Sequence, residues 1–301
     1  MERAELARRF EIGAHPLAFR GLGPGEGGVR PIAFATRSGE AVEGFLLEPD
    51  GGGPAPAVLY VHAHGWRYDI GAREAVDGQA ALAGPMGPAL ARAGFRVLAI
   101  DMPCFRGRAG TPESAAAKAA LWRGGSLAGQ MLGELHSALD WLAGDPGTDP
   151  GRIAVFGLSM GATLGYWLGA VEPRLAAVAH LCCFADFAPL IESGAHDLHG
   201  LYLTVPGLVS RVSNGEIAGM IAPRPQFVGL GEADPLTPPE AIGPALATLR
   251  AAYAAAGAER ALRVRLEPGV GHRETPEMRA EVMGFLCEAL GVARVRRRAS
   301  D

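Results

Sequence analysis

The chain has 301 residues, a net charge of -4 at pH 7, 20% charged and 49% hydrophobic residues, values normal for a globular protein with a large core. The charge balance gives no electrostatic reason to expect a nucleic-acid partner, and no apolar run reaches the ~20 residues that a membrane helix needs. The opening MERAELARRFEIGAHPLAF lacks an apolar h-region, and four cysteines (Cys104, Cys182, Cys183, Cys287) lack C-x-x-C spacing, so a cytoplasmic protein with free thiols is expected.

In chain order, VRPIAFATR and AVEGFLLEP flank a Ser-Gly-Glu turn and read as an antiparallel β-hairpin. After a GGGPAP loop, AVLYVHA is a continuous apolar run, as expected of a strand buried on both faces of a parallel sheet. Strands and helices then alternate. GPALARAGF is helical and stops at Gly94, RVLAID is a strand, and residues 127–144 carry the spacing of an amphipathic helix. RIAVFGL, LAAVAHLCC, RPQFVGL and ALRVRLEP read as further strands. MGATLGYWLGAV, 239–256 and PEMRAEVMGFLCEAL read as helices, the last with Pro276 in its first turn.

This alternation predicts an α/β fold, a mostly parallel sheet with helices on both faces in one domain spanning 1–301. Residues 184–223, after the sixth predicted strand, break the pattern. They read as a small helical cap-like insertion over the C-terminal edge of the sheet, where ligands bind in such folds. The basic run RVRRR (294–298) reads as a solvated tail.

VFGLSMGAT carries the chemistry. Glycine fills 43 positions, so a G-x-S-x-G pentapeptide arises by accident often enough that context must decide. Ser159 falls where a predicted strand meets a predicted helix. A tight turn there projects the hydroxyl above the sheet and offers it the helix N-terminus. A serine hydroxyl needs a base, and the base needs a carboxylate.

His272, in a glycine-flanked loop after the last strand, is the candidate base; His180 lies in an apolar strand and reads as core. For the carboxylate, Asp234 begins the Asp-Pro-Leu-Thr-Pro loop after the penultimate strand, with Glu232 as its rival two residues earlier. Oxyanion donors are expected from the Met160 main chain and from the loop YVHAHGWRYDIG, where the His64 main chain is the candidate and His62 packs beneath. His62-Ala63-His64 has metal-like spacing, but HExxH and a nearby carboxylate cluster are missing, so no metal is expected. Cys182 and Cys183 follow an apolar run and read as core.

Trp66, Arg67, Tyr68 and Arg106, on loops at the same end of the sheet, and His196 and His199 in the insertion are candidates for the substrate pocket. For Arg67 and Arg106 the plainer reading is as partners in loop salt bridges, and Trp66 and Trp122 read as pocket or core.

Five segments together resemble the α/β-hydrolase superfamily, on its branch similar to dienelactone hydrolases and bacterial acetyl xylan esterases. They are HAHG, RVLAIDMPCFRGR, DPGRIAVFGLSMGATLGYWLGAVEPRL, IAPRPQFVGLGEADPLTP and GVGHRETP, spanning about residues 55–290. The resemblance implies Ser159, Asp234 and His272 as a catalytic triad, His64 and Met160 as main-chain oxyanion donors, no cofactor, and a small-molecule acyl substrate. Two departures stand out: the nucleophile is serine where dienelactone hydrolases carry cysteine, and Ala63 replaces the usual glycine of the His-Gly pair.

The leading expectation is therefore a serine hydrolase of small carboxylic esters working through an acyl-enzyme. The alternatives are the same machinery on a thioester, lactone or amide, separated by substrate profiling, and a non-catalytic binding protein on a hydrolase scaffold, against which the complete Ser-Asp-His set argues. Such enzymes are commonly homodimers, but no residue pattern here carries that.

Overall fold

The apolar runs of the sequence form the middle of a nine-stranded sheet in the computed structural model, which describes residues 1–293. The basic run 294–298 lies outside the described residues. The elements in chain order are α1 (Arg3–Arg9), β1 (Ala18–Leu22), β2 (Val29–Ala35), β3 (Ala41–Leu47), β4 (Ala55–Val61), α2 (Arg73–Asp77), α3 (Met86–Arg92) and β5 (Arg96–Ile100). There follow α4 (Glu113–Trp122), α5 (Leu127–Gly144), β6 (Thr148–Leu158), α6 (Met160–Val171), β7 (Leu175–Leu181), α7 (Phe187–Ser193) and α8 (Asn214–Gly219). The chain continues through β8 (Gln226–Gly231), α9 (Pro239–Ala255), β9 (Leu262–Glu267) and α10 (Pro276–Ala289).

The strand order is β1-β2-β3-β5-β4-β6-β7-β8-β9. β1, β2, β3 and β5 pair antiparallel in turn, and from β5 to the β9 edge every pairing is parallel. The order reverses beside β4, so the loops after β4 and β6 diverge and leave a crevice at the carboxyl ends of those strands. The expected hairpin is β2–β3. β1 is an additional edge strand, so the insertion follows the seventh strand rather than the sixth.

Helices cover both faces. On one, α5, α6, α8 and α9 bury Leu132, Leu164, Trp167, Ile217 and Leu246 against the sheet. On the other, α2, α3 and α10 bury Ala75, Leu90 and Phe285 against Phe45, Tyr60, Phe156 and Phe227. α5 starts at Ser126, whose hydroxyl accepts the Gly129 N–H at 2.9 Å, an N-cap at the head of an apolar stripe.

Residues 184–223 hold α7, two short 3-10 turns (Ala195–Leu198 and Leu201–Leu203) and α8. Buried polar bonds seat this segment on α6. Trp167 Nε1 donates to Asn214 at 3.0 Å, Asn214 donates to the Ala185 carbonyl at 2.7 Å, and Gly215 N–H donates to Asp186 at 2.9 Å. A capping box between Ser213 and Glu216 fixes the start of α8. Among the described residues no helix is long and apolar enough to cross a membrane.

Candidate active site

Ser159 stands between β6 and α6 at φ 59°, ψ -118°, a left-handed conformation that a residue with a Cβ adopts only under constraint. The constraint comes from its neighbours. A Cβ on Gly161 would run into the Val61 carbonyl, and one on Gly157 into the Gly161 carbonyl, so both positions must be glycine for β4, β6 and α6 to meet this closely. The turn leaves the Met160 N–H in the first turn of α6, where no helical carbonyl accepts it.

Two loops bring the partners. The loop after β9 places His272 Nε2 2.8 Å from Ser159 Oγ, and the loop after β8 places Asp234 Oδ2 2.6 Å from His272 Nδ1. Asp234 accepts from Nδ1–H, which leaves the Nε2 lone pair facing the serine hydroxyl. The other oxygen of Asp234 accepts the Leu236 N–H at 2.9 Å, and the carboxylate is 2% exposed, so the short Asp-Pro loop locks it. Glu232 is exposed, so Asp234 and not its rival faces the histidine.

The loop after β4 is anchored at three successive residues. His62 is fully buried, takes the Met102 N–H on Nε2 at 3.1 Å and holds the Ala63 carbonyl through Nδ1 at 2.9 Å; burial lowers its pKa to about 4, keeping it neutral. The Ala63 N–H goes to Glu74, whose carboxylate also accepts from Tyr60 OH at 2.7 Å and Gln79 at 2.6 Å. Burial raises Glu74 to about 7 against the opposing effect of these donors.

The His64 ring donates from Nε2 to Glu113 at 2.6 Å and accepts the Trp66 N–H on Nδ1 at 3.2 Å, which fixes one tautomer. Glu113 further accepts from Tyr68 OH at 2.7 Å and the Tyr202 N–H at 3.1 Å. Burial works to raise Glu113, but the bonds from His64, Tyr68 and Tyr202 outweigh it and hold the carboxyl below its ordinary range. Both histidine rings are thus committed to protein partners. The His64 main-chain N–H meets no hydrogen-bond acceptor among the described residues.

Of the remaining candidates, Trp66, Tyr68 and His199 line a cavity of about 570 Å³ between the β4 loop, the start of α4 and the insertion. His199 Nε2 bonds the Leu236 carbonyl at 2.8 Å, so this wall leans on the Asp234 loop. His196 lies on an adjoining, more apolar cavity within the insertion, bounded by Leu190 and Val205 and sharing Asp197, His199, Gly200 and Leu201 with the first. The two arginines are engaged in ion pairs: Arg67 with Asp69 at 2.8 Å, and Arg106 with Asp101 at 3.0 Å while its guanidinium lies over Phe45. Trp122 is 89% exposed and belongs to neither pocket nor core, whereas Cys182, Cys183 and His180 are buried. Glu74 and Glu113 escaped the sequence reading, because nothing local shows that Glu113 reaches a histidine 49 positions away.

A sheet of this topology, with a serine at the sharp turn after β6 facing a histidine and an aspartate, defines the α/β-hydrolase class, and the protein is a serine hydrolase. A family model described as X-Pro dipeptidyl-peptidase (S15 family) matches residues 41–216, and the chain belongs to that family. The match includes Ser159 and the β4 loop and ends before Asp234 and His272. YtaP of Bacillus subtilis, named provisionally as a hydrolase, is 38% identical over 277 residues, covering 85% of this chain and 92% of its own.

Acetyl xylan esterase 1 from Thermoanaerobacterium superposes with a TM-score of 0.63 at 16% identity, over 95% of this chain and 93% of that one. A cold-adapted esterase from an Arctic intertidal metagenomic library gives 0.60 at 19% identity, over 91% and 99%. At these identities the likeness is one of fold.

Proposed function

We propose that the protein hydrolyses a small carboxylic ester through an acyl-enzyme on Ser159. One observation carries the reading: the unbroken hydrogen-bonded line from Ser159 Oγ through His272 to the buried Asp234, at 2.8 and 2.6 Å. His272 removes the proton as Ser159 attacks the carbonyl, and Asp234 stabilises the imidazolium that forms. The main-chain N–H groups of Met160 and His64 receive the oxyanion, each worth roughly 10²–10³ in rate. His272 protonates the departing alcohol, and a water activated by the same ring then releases the acid. The donor set needs no metal or cofactor, and the site stands within a single chain that we read as one domain with a cap over it.

The description of the S15 family favours a second reading, cleavage of the amide that follows an X-Pro dipeptide. A fluorophosphonate probe tests the shared machinery: wild type is labelled and Ser159→Ala is not. Turnover of p-nitrophenyl esters of increasing chain length against X-Pro p-nitroanilides then separates the readings. Faster cleavage of the anilides would replace the ester reading by the peptidase one, and a folded wild type that resists labelling would overturn both.

A further inference from the structure

The cavity of about 570 Å³ is walled by residues tied to the two loops that bring the site together, although none of Ser159, Asp234 and His272 lines it. Trp66 sits two residues beyond His64, and His199 rests on the carbonyl of Leu236, two residues beyond Asp234. Part of its wall is aromatic and aliphatic. Trp66 is 62% exposed although its ring packs edge-on to His64 at 4.7 Å, and Tyr68 and the partly exposed Leu201 continue the surface. An indole left this open at the cavity wall is available to whatever occupies the cavity.

The charges lining the cavity have one sign. Glu113 and Asp197 are its charged side chains, and no lysine or arginine lines it among the described residues. The nearby cations are engaged elsewhere, Arg67 by Asp69 and Arg106 by Asp101 and Glu43. Asp197 is exposed and has no ion-pair or side-chain hydrogen-bond partner among the described residues. Glu113 is satisfied by three protein donors yet leaves a net negative charge at the wall, because the tautomer fixed on His64 is the neutral one. A carboxylate-bearing group entering here meets like charge with no counter-ion, whereas an organic cation meets an indole face and two carboxylates.

We propose that this cavity is the subsite for a positively charged organic group, an amine or quaternary ammonium, carried on one arm of the ester that Ser159 cleaves. The inference rests on the ester reading above and narrows it to a substrate class. The cation is held by the face of Trp66 and by Asp197, and esters carrying a carboxylate on that arm are excluded. No new chemical step is required: the group only positions the carbonyl.

Matched substrates test it on the intact wild-type chain. For the alcohol arm, acetylcholine is compared with its uncharged isostere dimethylbutyl acetate and with a carboxylate-bearing acetate of similar length. For the acyl arm, p-nitrophenyl trimethylammoniobutanoate is compared with its tert-butyl isostere. All rates are divided by alkaline hydrolysis rates to remove intrinsic reactivity. The cationic member is expected to exceed its isostere in kcat/KM by about tenfold on one arm, with the carboxylate slowest.

Asp197→Asn should lower that ratio severalfold, and Trp66→Ala should lower turnover of the cationic member more than that of its isostere. Both side chains are exposed, so neither variant threatens the fold. If wild type cleaves p-nitrophenyl acetate yet treats charged and uncharged isosteres alike on both arms, or if Asp197→Asn leaves the preference in place, the subsite proposal falls alone. If p-nitrophenyl acetate is untouched and the fluorophosphonate does not label, the ester reading falls first.

Discussion

Asp234 and Glu232 are two residues apart, but only Asp234 is bonded to His272. Asp234 spends one oxygen on the Leu236 N–H and the other on His272, and it is nearly inaccessible to water. Asp234→Asn keeps the shape but removes the acceptor that fixes the histidine tautomer, so kcat on a p-nitrophenyl ester should fall on the order of 10³ to 10⁴. Glu232→Gln should stay within about twofold, since a surface charge is weakly felt; the reverse outcome in the same assay would reassign the carboxylate. Ser159 invites a test of stability as well as of rate. Its φ of 59° costs a residue with a Cβ about 1 kcal/mol or more, and glycine adopts that region freely. Ser159→Gly should be inactive yet more stable than Ser159→Ala by about 1 kcal/mol in urea unfolding. Equal midpoints would mean that the turn stores no strain at this position.

The loop after β4 shows how an element can be placed by side chains that a linear reading does not connect. Glu113, the first residue of α4, ties together the loop and the 3-10 turn at Leu201–Leu203, acting on the proposed oxyanion donor through His64. Glu113→Gln should lower kcat and kcat/KM by about the same factor, roughly tenfold, with KM nearly constant, the pattern of an interaction felt in the transition state. A rise in KM alone would make it a wall of the pocket instead. Glu74 acts on the same loop through Ala63. Its pKa is raised from the unfolded value to about 7, so its contribution to stability is complete below pH 4.5 and is lost as pH climbs through 7. Urea midpoints between pH 5 and pH 8 should therefore decline more in wild type than in Glu74→Gln, by an amount that corresponds to roughly 3 kcal/mol at most.

The strands and the Ser-Asp-His order were legible because they rest on local signals: unbroken apolar runs, a glycine-flanked serine, turn-rich loops at strand ends. β1 was not, because AFRGL is short and its Phe19 is exposed at the sheet edge. Nor was α4, whose alanine-rich sequence gives little amphipathic contrast. Glu74 and Glu113 were invisible for a different reason, since their partners are set by packing between elements.

At the scale of the molecule, the segment before the sheet braces the insertion. α1 lies against α6, the helix that begins just after Ser159, where Phe10 stacks on Trp167 with ring centroids 4.9 Å apart. Trp167 in turn donates to Asn214 in α8, so one aromatic pair links the N-terminus to the insertion through the core. The same two segments also meet at the surface: Arg211 pairs with Glu5 at 2.8 Å, and Arg9 donates to the Pro206 carbonyl at 3.2 Å. These two kinds of link should differ widely in weight. Phe10 is fully buried, and its truncation leaves a cavity against Trp167, so Phe10→Ala should cost about 3–5 kcal/mol in urea unfolding. The Arg211–Glu5 pair is solvent-exposed and screened, so Arg211→Ala should cost less than about 1 kcal/mol and lose even that in high salt. Because the stack lies beneath α8, limited proteolysis of Phe10→Ala should cut first within 184–223, while Arg211→Ala keeps the wild-type pattern. Equal losses of stability in the two variants would mean that the surface ion pair holds the insertion as firmly as the buried stack.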